Sequence, residues 1–200
     1  MTTACSQIKS SARLQHVFKL ILSIGNFING AESEAFSLDS LLKLRETRGS
    51  NATSVIDYLC KVAYRKGGDE LLSFGEDLGE VEAASRLVPS DISREIKQTE
   101  VRLESLQRLL ASAEGSKFAE KLSERVACLD PRVKALAAQD AEMQSAITDT
   151  VAYLGERPAC TARHMFSVLS EFLRSFSTAR IKLQERLARE ARQRAREANS

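Results

Sequence analysis

Apolar residues recur at steps of three and four through most of this 200-residue chain, and its few interruptions divide the pattern into helices. Over residues 3–30, Leu14, Val17, Phe18, Ile21, Ile24, Phe27 and Ile28 build one wide apolar helix face, with an interruption placed at Gly25-Asn26. After a break lasting to Phe36, the leucines Leu38, Leu41, Leu42 and Leu44 open a short helix that runs to about Thr47, with Ser37 as its N-cap. Residues 48–52 read as a loop by their turn residues, and Thr53 or Ser50 caps a helix running to Arg65 that Gly67-Gly68 ends. Leu71, Leu72, Phe74, Leu78, Val81 and Ala84 then form a further stripe, broken at Gly75 and Gly79.

The pattern changes at Pro89. Ser90 is placed as a cap, with Asp91 in the first turn where the helix dipole favours an acid. Ile92, Ile96, Thr99, Leu103, Leu106 and Leu110 form a heptad seam, which predicts packing along another helix. A break at Gly115-Ser116 leads into a second long seam through Phe118, Leu122, Val126, Leu129, Val133, Leu136, Met143, Ile147 and Val151. Asp140 falls on that seam, and Pro131 is expected to kink or restart the helix. Gly155 and Pro158 mark another break. The last helix starts near Ala162, carries Phe166, Leu169, Phe172, Phe176, Leu183 and Leu187, and turns strongly basic after Ala179.

Composition supports helix nearly everywhere: nine glycines, three prolines, no tryptophan, and 28% charged residues of both signs. A net charge of +2 points to no particular partner. Four scattered cysteines, Cys5, Cys60, Cys128 and Cys160, predict reduced thiols rather than a disulfide framework. The longest uncharged apolar stretch, residues 20–31, is too short to span a bilayer. Residues 1–15 are too polar and mixed for a signal peptide, and the expected location is cytoplasmic.

Three linked motifs carry a family resemblance: Gly25-Asn26-Phe27-Ile28-Asn29, then Phe36-x-Leu38-x-x-Leu41-x-Lys43-Leu44, then Thr47-Arg48. In that order they resemble the signature of the formin homology 2 domain. The segment Leu78-Gly79-Glu80-Val81-Glu82-Ala83-Ala84-Ser85 and the phenylalanine-rich, then basic, last helix are similar to that family as well. Ala35 stands where the family has glycine, and the loop between Asn29 and Phe36 is several residues shorter. The resemblance runs from about Ala4 to Arg186 and covers the second half of the family's domain, without its lasso, linker, knob and first coiled-coil section.

The resemblance implies an elongated all-α fold: a post-like part over residues 1–88, returning antiparallel coiled-coil helices over 89–186, and a basic helical tail over 187–200. It also implies actin binding in the service of filament nucleation and barbed-end capping, in the cytoskeleton and without enzymatic chemistry. Lys43, Arg45 and Arg48 would contact actin, with Lys61, Arg65 and Lys66 nearby. Gly25, Asn26, Asn29, Phe36, Leu38 and Leu41 would receive the lasso of a second formin subunit.

The residues themselves offer little other chemistry. His16 and His164 lie far apart, no Cys/His cluster suggests a metal, and no glycine-rich loop followed by Lys-Ser/Thr suggests a nucleotide. No cofactor is implied. The arginine-rich tail reads as a solvated helix, an acidic-surface binder or a nucleic-acid binder; interleaved glutamates and the lack of aromatics after Phe176 make nucleic acid the weakest. Its lack of a wide apolar face argues against membrane insertion. The competing reading is a coiled-coil scaffold that binds another helical protein and has lost actin activity.

Overall fold

The computed structural model describes residues 1–48, 53–112 and 117–198. They form helices α1 (Thr2–Ser10), α2 (Ala12–Asn29), α3 (Ser40–Glu46), α4 (Val55–Leu72), a 3-10 turn (Phe74–Leu78), α5 (Val81–Ser85), α6 (Pro89–Ser112), α7 (Lys117–Tyr153) and α8 (Ala162–Ala198). Among the described residues the one extended pairing is an isolated antiparallel bridge between Arg48 and Ser54. The fold is all-α, as expected.

The main core gathers one face of each helix from α1 to α5, the end of α7 and the first part of α8. Its centre is aromatic. Phe74 lies 4.8 Å, centroid to centroid, from Phe176 in an edge-on contact and 6.0 Å from Phe172, and all three rings are buried. The last helix therefore lies across α3, α4 and α5 and shares their core rather than pairing only with the preceding seam.

The two heptad patterns form an antiparallel hairpin. Ser93 near the start of α6 donates to Asp140 at 2.6 Å, whereas Gln107 further along α6 reaches back to Asp130 at 3.1 Å. Leu103, Val126 and Val133 form a small cluster inside it, flanked by Leu110 and Leu122. At 37 residues α7 is about 55 Å long, so the hairpin gives the molecule its elongated outline. The seam is incomplete: Leu106, Leu129 and Leu136 are exposed. Asp140, out of place in an apolar seam, is accounted for by the Ser93 hydroxyl. Pro131 lies inside α7, which is continuous through it, so the expected restart does not occur.

Other boundaries shift for physical reasons. The break expected at Gly25 lies at Ser11, whose extended backbone separates α1 from α2 and whose hydroxyl caps α2 by accepting from Leu14 N–H at 3.0 Å. Helix α2 continues through Gly25 and ends at Gly30, which adopts the left-handed conformation (φ 58°) that glycine tolerates best. Asp39 rather than Ser37 precedes α3; the Ser37 hydroxyl instead lies 3.1 Å from that of Ser40. Ser54, not Thr53, caps α4 by accepting from Asp57 N–H at 3.2 Å. Gly68 (φ 61°) kinks α4, and a Cβ on Gly67 would stand 2.7 Å from Leu71 Cβ, so both glycines are needed where the chain turns back. Pro89 already opens α6, so Ser90 is inside the helix rather than its cap. The expected loop at 49–52, the Ser50 cap, the Gly115-Ser116 break and the Phe118 side chain lie outside the described residues.

Candidate functional site

Helix α3 is held by the turn between α7 and α8. Glu156 accepts from Leu38 N–H at 2.6 Å, and His164 Nε2 lies 2.7 Å from an Asp39 carboxylate oxygen. Leu38 and Leu41 are buried, so they anchor α3 from below and offer no surface of their own. Lys43 and Arg45 are exposed in the last turn of α3, where cations favour the negative end of the helix dipole. Thr47 stops the helix in an extended conformation and accepts from Val55 N–H at 3.0 Å. Arg48 then enters the bridge with Ser54 and is fixed beside the start of α4 instead of trailing from a helix end.

The expected basic cluster divides in two. Arg45 and Arg48 line a cleft of ≈ 640 Å³ whose far wall is α8, with Ser170, Arg174, Thr178 and Lys182. Lys43 is not among its lining residues. Arg174 is fixed by Glu82 at 2.8 Å, and Glu82, also paired with Arg86, is held below the usual carboxylate range first by Arg174 and then by Arg86. Arg45, Arg48 and Lys182 have no ion-pair partner among the described residues. The α8 wall escaped the sequence reading. Its signal was nonetheless there: Ser170, Arg174, Thr178 and Lys182 recur every four residues, one polar stripe beside the apolar one.

Lys61 and Lys66 belong elsewhere. They rim a second groove of ≈ 610 Å³ floored by Leu20, Ile24 and Val62, with Phe27, Ile28 and Tyr58 along its edge. Phe27 is 88% exposed and Ile28 54%, on the solvent side of the last turn of α2. Neither was singled out as an interface residue, although both lie within the Gly25–Asn29 pentad. Of the residues that were, Asn26 turns inward to hold the following loop: its amide donates to the Ser33 carbonyl at 2.9 Å and its carbonyl accepts from Ser33 N–H at 3.1 Å. Asn29 is exposed. Phe36 is half-buried, edge-on to Phe18 at 5.7 Å. Gly25 is mid-helix with nothing within 4 Å of a Cβ built on it.

The family model of the Formin Homology 2 Domain matches residues 1–177. The chain belongs to the formin homology 2 family. It is 31% identical over 191 residues to Formin-like protein 14 of Arabidopsis thaliana, covering 90% of this chain and 15% of that protein. Formin-like protein 5 of Oryza sativa subsp. japonica is 31% identical over 188 residues, covering 88% and 12%. Formin-like protein 21b of Arabidopsis thaliana is 28% identical over 190 residues, and there the match spans 47% of the relative. The chain thus spans a minor part of these formins.

Within this formin chain the described residues hold no cluster of His, Cys, Asp and Glu suited to a metal, and no helix long and apolar enough to cross a membrane. Burial first, and then Asp57, push the Cys60 thiol up to about 12, so it stays protonated at neutral pH and is a poor nucleophile. What the surfaces offer is recognition: a cationic, hydroxyl-lined cleft beside α3, and an apolar groove beside the end of α2.

Proposed function

We propose that this chain is the post and returning coiled-coil part of a formin homology 2 domain, and that it binds actin through Lys43, Arg45 and Arg48 in organising cytoskeletal filaments. The observation that carries the reading is the end of α3: three exposed cations in six residues, two on a short helix locked to the body by Leu38, Leu41 and Glu156 and the third in the bridge just after it. Cations on a backbone held this way meet an acidic surface without the added cost of ordering a loop. The role in nucleation and barbed-end capping follows the family. It is non-enzymatic: holding actin subunits in filament-like geometry removes much of the entropic barrier to the first contacts. The site of action is the cytoplasmic actin cytoskeleton. The groove edged by Phe27, Ile28 and Tyr58 suits the lasso of a second formin subunit, with Gly25, Asn26 and Asn29 at the same end of α2 and Phe36, Leu38 and Leu41 completing the lasso-receiving set.

Co-sedimentation of the chain with actin filaments tests this. Lys43→Glu with Arg48→Glu weakens binding at least about tenfold, the loss expected when well-placed charged contacts are removed, and leaves helix content and melting temperature unchanged. Arg192→Glu with Arg194→Glu in the tail has a smaller effect at physiological salt, where exposed charges are screened. The reverse ranking removes the post from the interface and favours the coiled-coil scaffold.

A further inference from the structure

The cleft between α3–α4 and α8 is built from two distant parts of the chain, and its walls differ in chemistry. Arg45 and Arg48 on one side are unpaired among the described residues. Opposite them α8 presents Ser170, Arg174, Thr178 and Lys182 in a single stripe, about 18 Å long at 1.5 Å per residue. Ser170 is 5% exposed as a residue and lines the cleft; its hydroxyl makes no hydrogen bond to any described residue and is open to solvent. A solvent-accessible hydroxyl on the wall of a cleft can donate to or accept from a ligand seated there. Arg174, by contrast, is already anchored by Glu82 and forms a fixed cationic rail.

We propose that this cleft receives an acidic polypeptide segment of the actin subunit, so that α8 is a second wall of the actin contact and Lys182 and Ser170 belong to it. This rests on the actin-binding reading and extends it from the exposed end of α3 to a two-sided grip. Chemistry favours a polypeptide over a phosphorylated ligand. Asp57 and Glu171 also line the cleft and oppose the concentrated charge of a phosphate. A segment with spaced carboxylates places its charges at Arg45, Arg48 and Lys182 and its amides at Ser170 and Thr178. The 18 Å stripe matches about five extended residues at roughly 3.3 Å each.

The test uses the whole chain with actin filaments and three variants on α8. Lys182→Glu with Thr178→Asp places negative charge on the far wall; Lys182→Gln removes charge only; Ser170→Ala removes the cleft-lining hydroxyl. All three side chains border the cleft, so the expected losses are at least fivefold, about threefold and about twofold, with unchanged melting temperature. Combined with Arg48→Glu, the Lys182→Glu loss is less than additive, because both residues grip one segment. Carbodiimide coupling, which joins an amine to a touching carboxylate, links Lys182 to actin. If the α8 variants bind like the parent while Lys43→Glu with Arg48→Glu does not, the second wall is wrong and the actin reading stands. If neither set matters, or the parent does not bind actin, both fall. Preferential cross-linking of Lys182 to a phosphorylated ligand, displacing actin, would also overturn the proposal.

Discussion

Asn26 holds Ser33 by two hydrogen bonds, donating to its carbonyl at 2.9 Å and accepting from its N–H at 3.1 Å. The side-chain amide thus acts as a strand neighbour for the chain leaving α2, whose turn begins at left-handed Gly30. Only a group that is donor and acceptor at once makes this pair.

Asn26→Asp keeps the shape but loses the donor and sets a carboxylate against the Ser33 carbonyl. The expected result is a loop over residues 30–37 that exchanges its amides and is cut by protease at least fivefold faster, with a global cost of about 1 kcal/mol. Hydrogen exchange at Ser33 N–H measures it directly. Unchanged protection there would mean the pair contributes nothing.

The aromatic centre of the core gives a contrasting expectation. Phe74 is fully buried against Phe172 and Phe176. Phe74→Ala opens a cavity beneath α8 and costs about 3–5 kcal/mol, read as a lower urea midpoint. That is a large share of the roughly 5–15 kcal/mol that holds a typical domain folded. A loss below about 1 kcal/mol would indicate that α8 does not seal this core.

How far the sequence disclosed this fold depended on the range of each interaction. The amphipathic stripes, the antiparallel hairpin from Ser93 to Tyr153 and the end of α2 at Gly30 are local, and Gly68, expected to end α4, kinks it instead. The break at Ser11 was hidden because no glycine or proline marks it in the first 24 residues, while its stabilising partner, Asp77, is 66 residues away. The α8 wall of the cleft was hidden for the same reason: its stripe meets Arg45 and Arg48 only after the chain folds back. Leu38 and Leu41, which the resemblance implies receive a lasso, are buried in the chain's own core, as large apolar residues commonly are.

Acid stability should depend on the link between α2 and the 3-10 turn. Arg13 and Asp77 form an ion pair, with Arg13 Nε 3.0 Å from one carboxylate oxygen and the Ser11 hydroxyl donating to the same oxygen at 2.7 Å. The Arg13 hydrogen bond first, then that from Ser11, hold Asp77 below its ordinary value of 3.8. A carboxylate whose pKa is depressed on folding contributes stability above the unfolded value, and this is lost as pH falls through the folded value. At pH 7, Asp77→Asn should cost about 1 kcal/mol, or about 2–4 °C in a chain of this size. The difference from the parent should shrink below pH 3.8 and vanish once Asp77 is protonated. A gap that persists at pH 2 would assign the loss to packing instead of charge.

The apolar edge at the end of α2 sets up the sharpest separation of binding from folding. Phe27 is 88% exposed, Ile28 54% and Tyr58 48%, around one groove rimmed by Lys61 and Lys66. Scattered apolar side chains are common on surfaces, but three large ones on one groove form a patch that invites a partner. Because Phe27 touches so little of its own chain, Phe27→Asp should leave stability within about 0.5 kcal/mol of the parent. Covering the ring on binding is worth about 1.5–3 kcal/mol, a loss of roughly tenfold to a hundredfold in affinity when it is removed. The probe is a tryptophan-bearing lasso peptide from a formin, titrated into the chain and followed by tryptophan fluorescence, to which this chain contributes no tryptophan. Val101→Asp, at an equally apolar and 61% exposed position on the α6–α7 hairpin, serves as the control and should bind the peptide like the parent. Loss with Phe27→Asp and not with Val101→Asp assigns the lasso to this groove. Equal affinity for both variants would place the lasso elsewhere on the molecule.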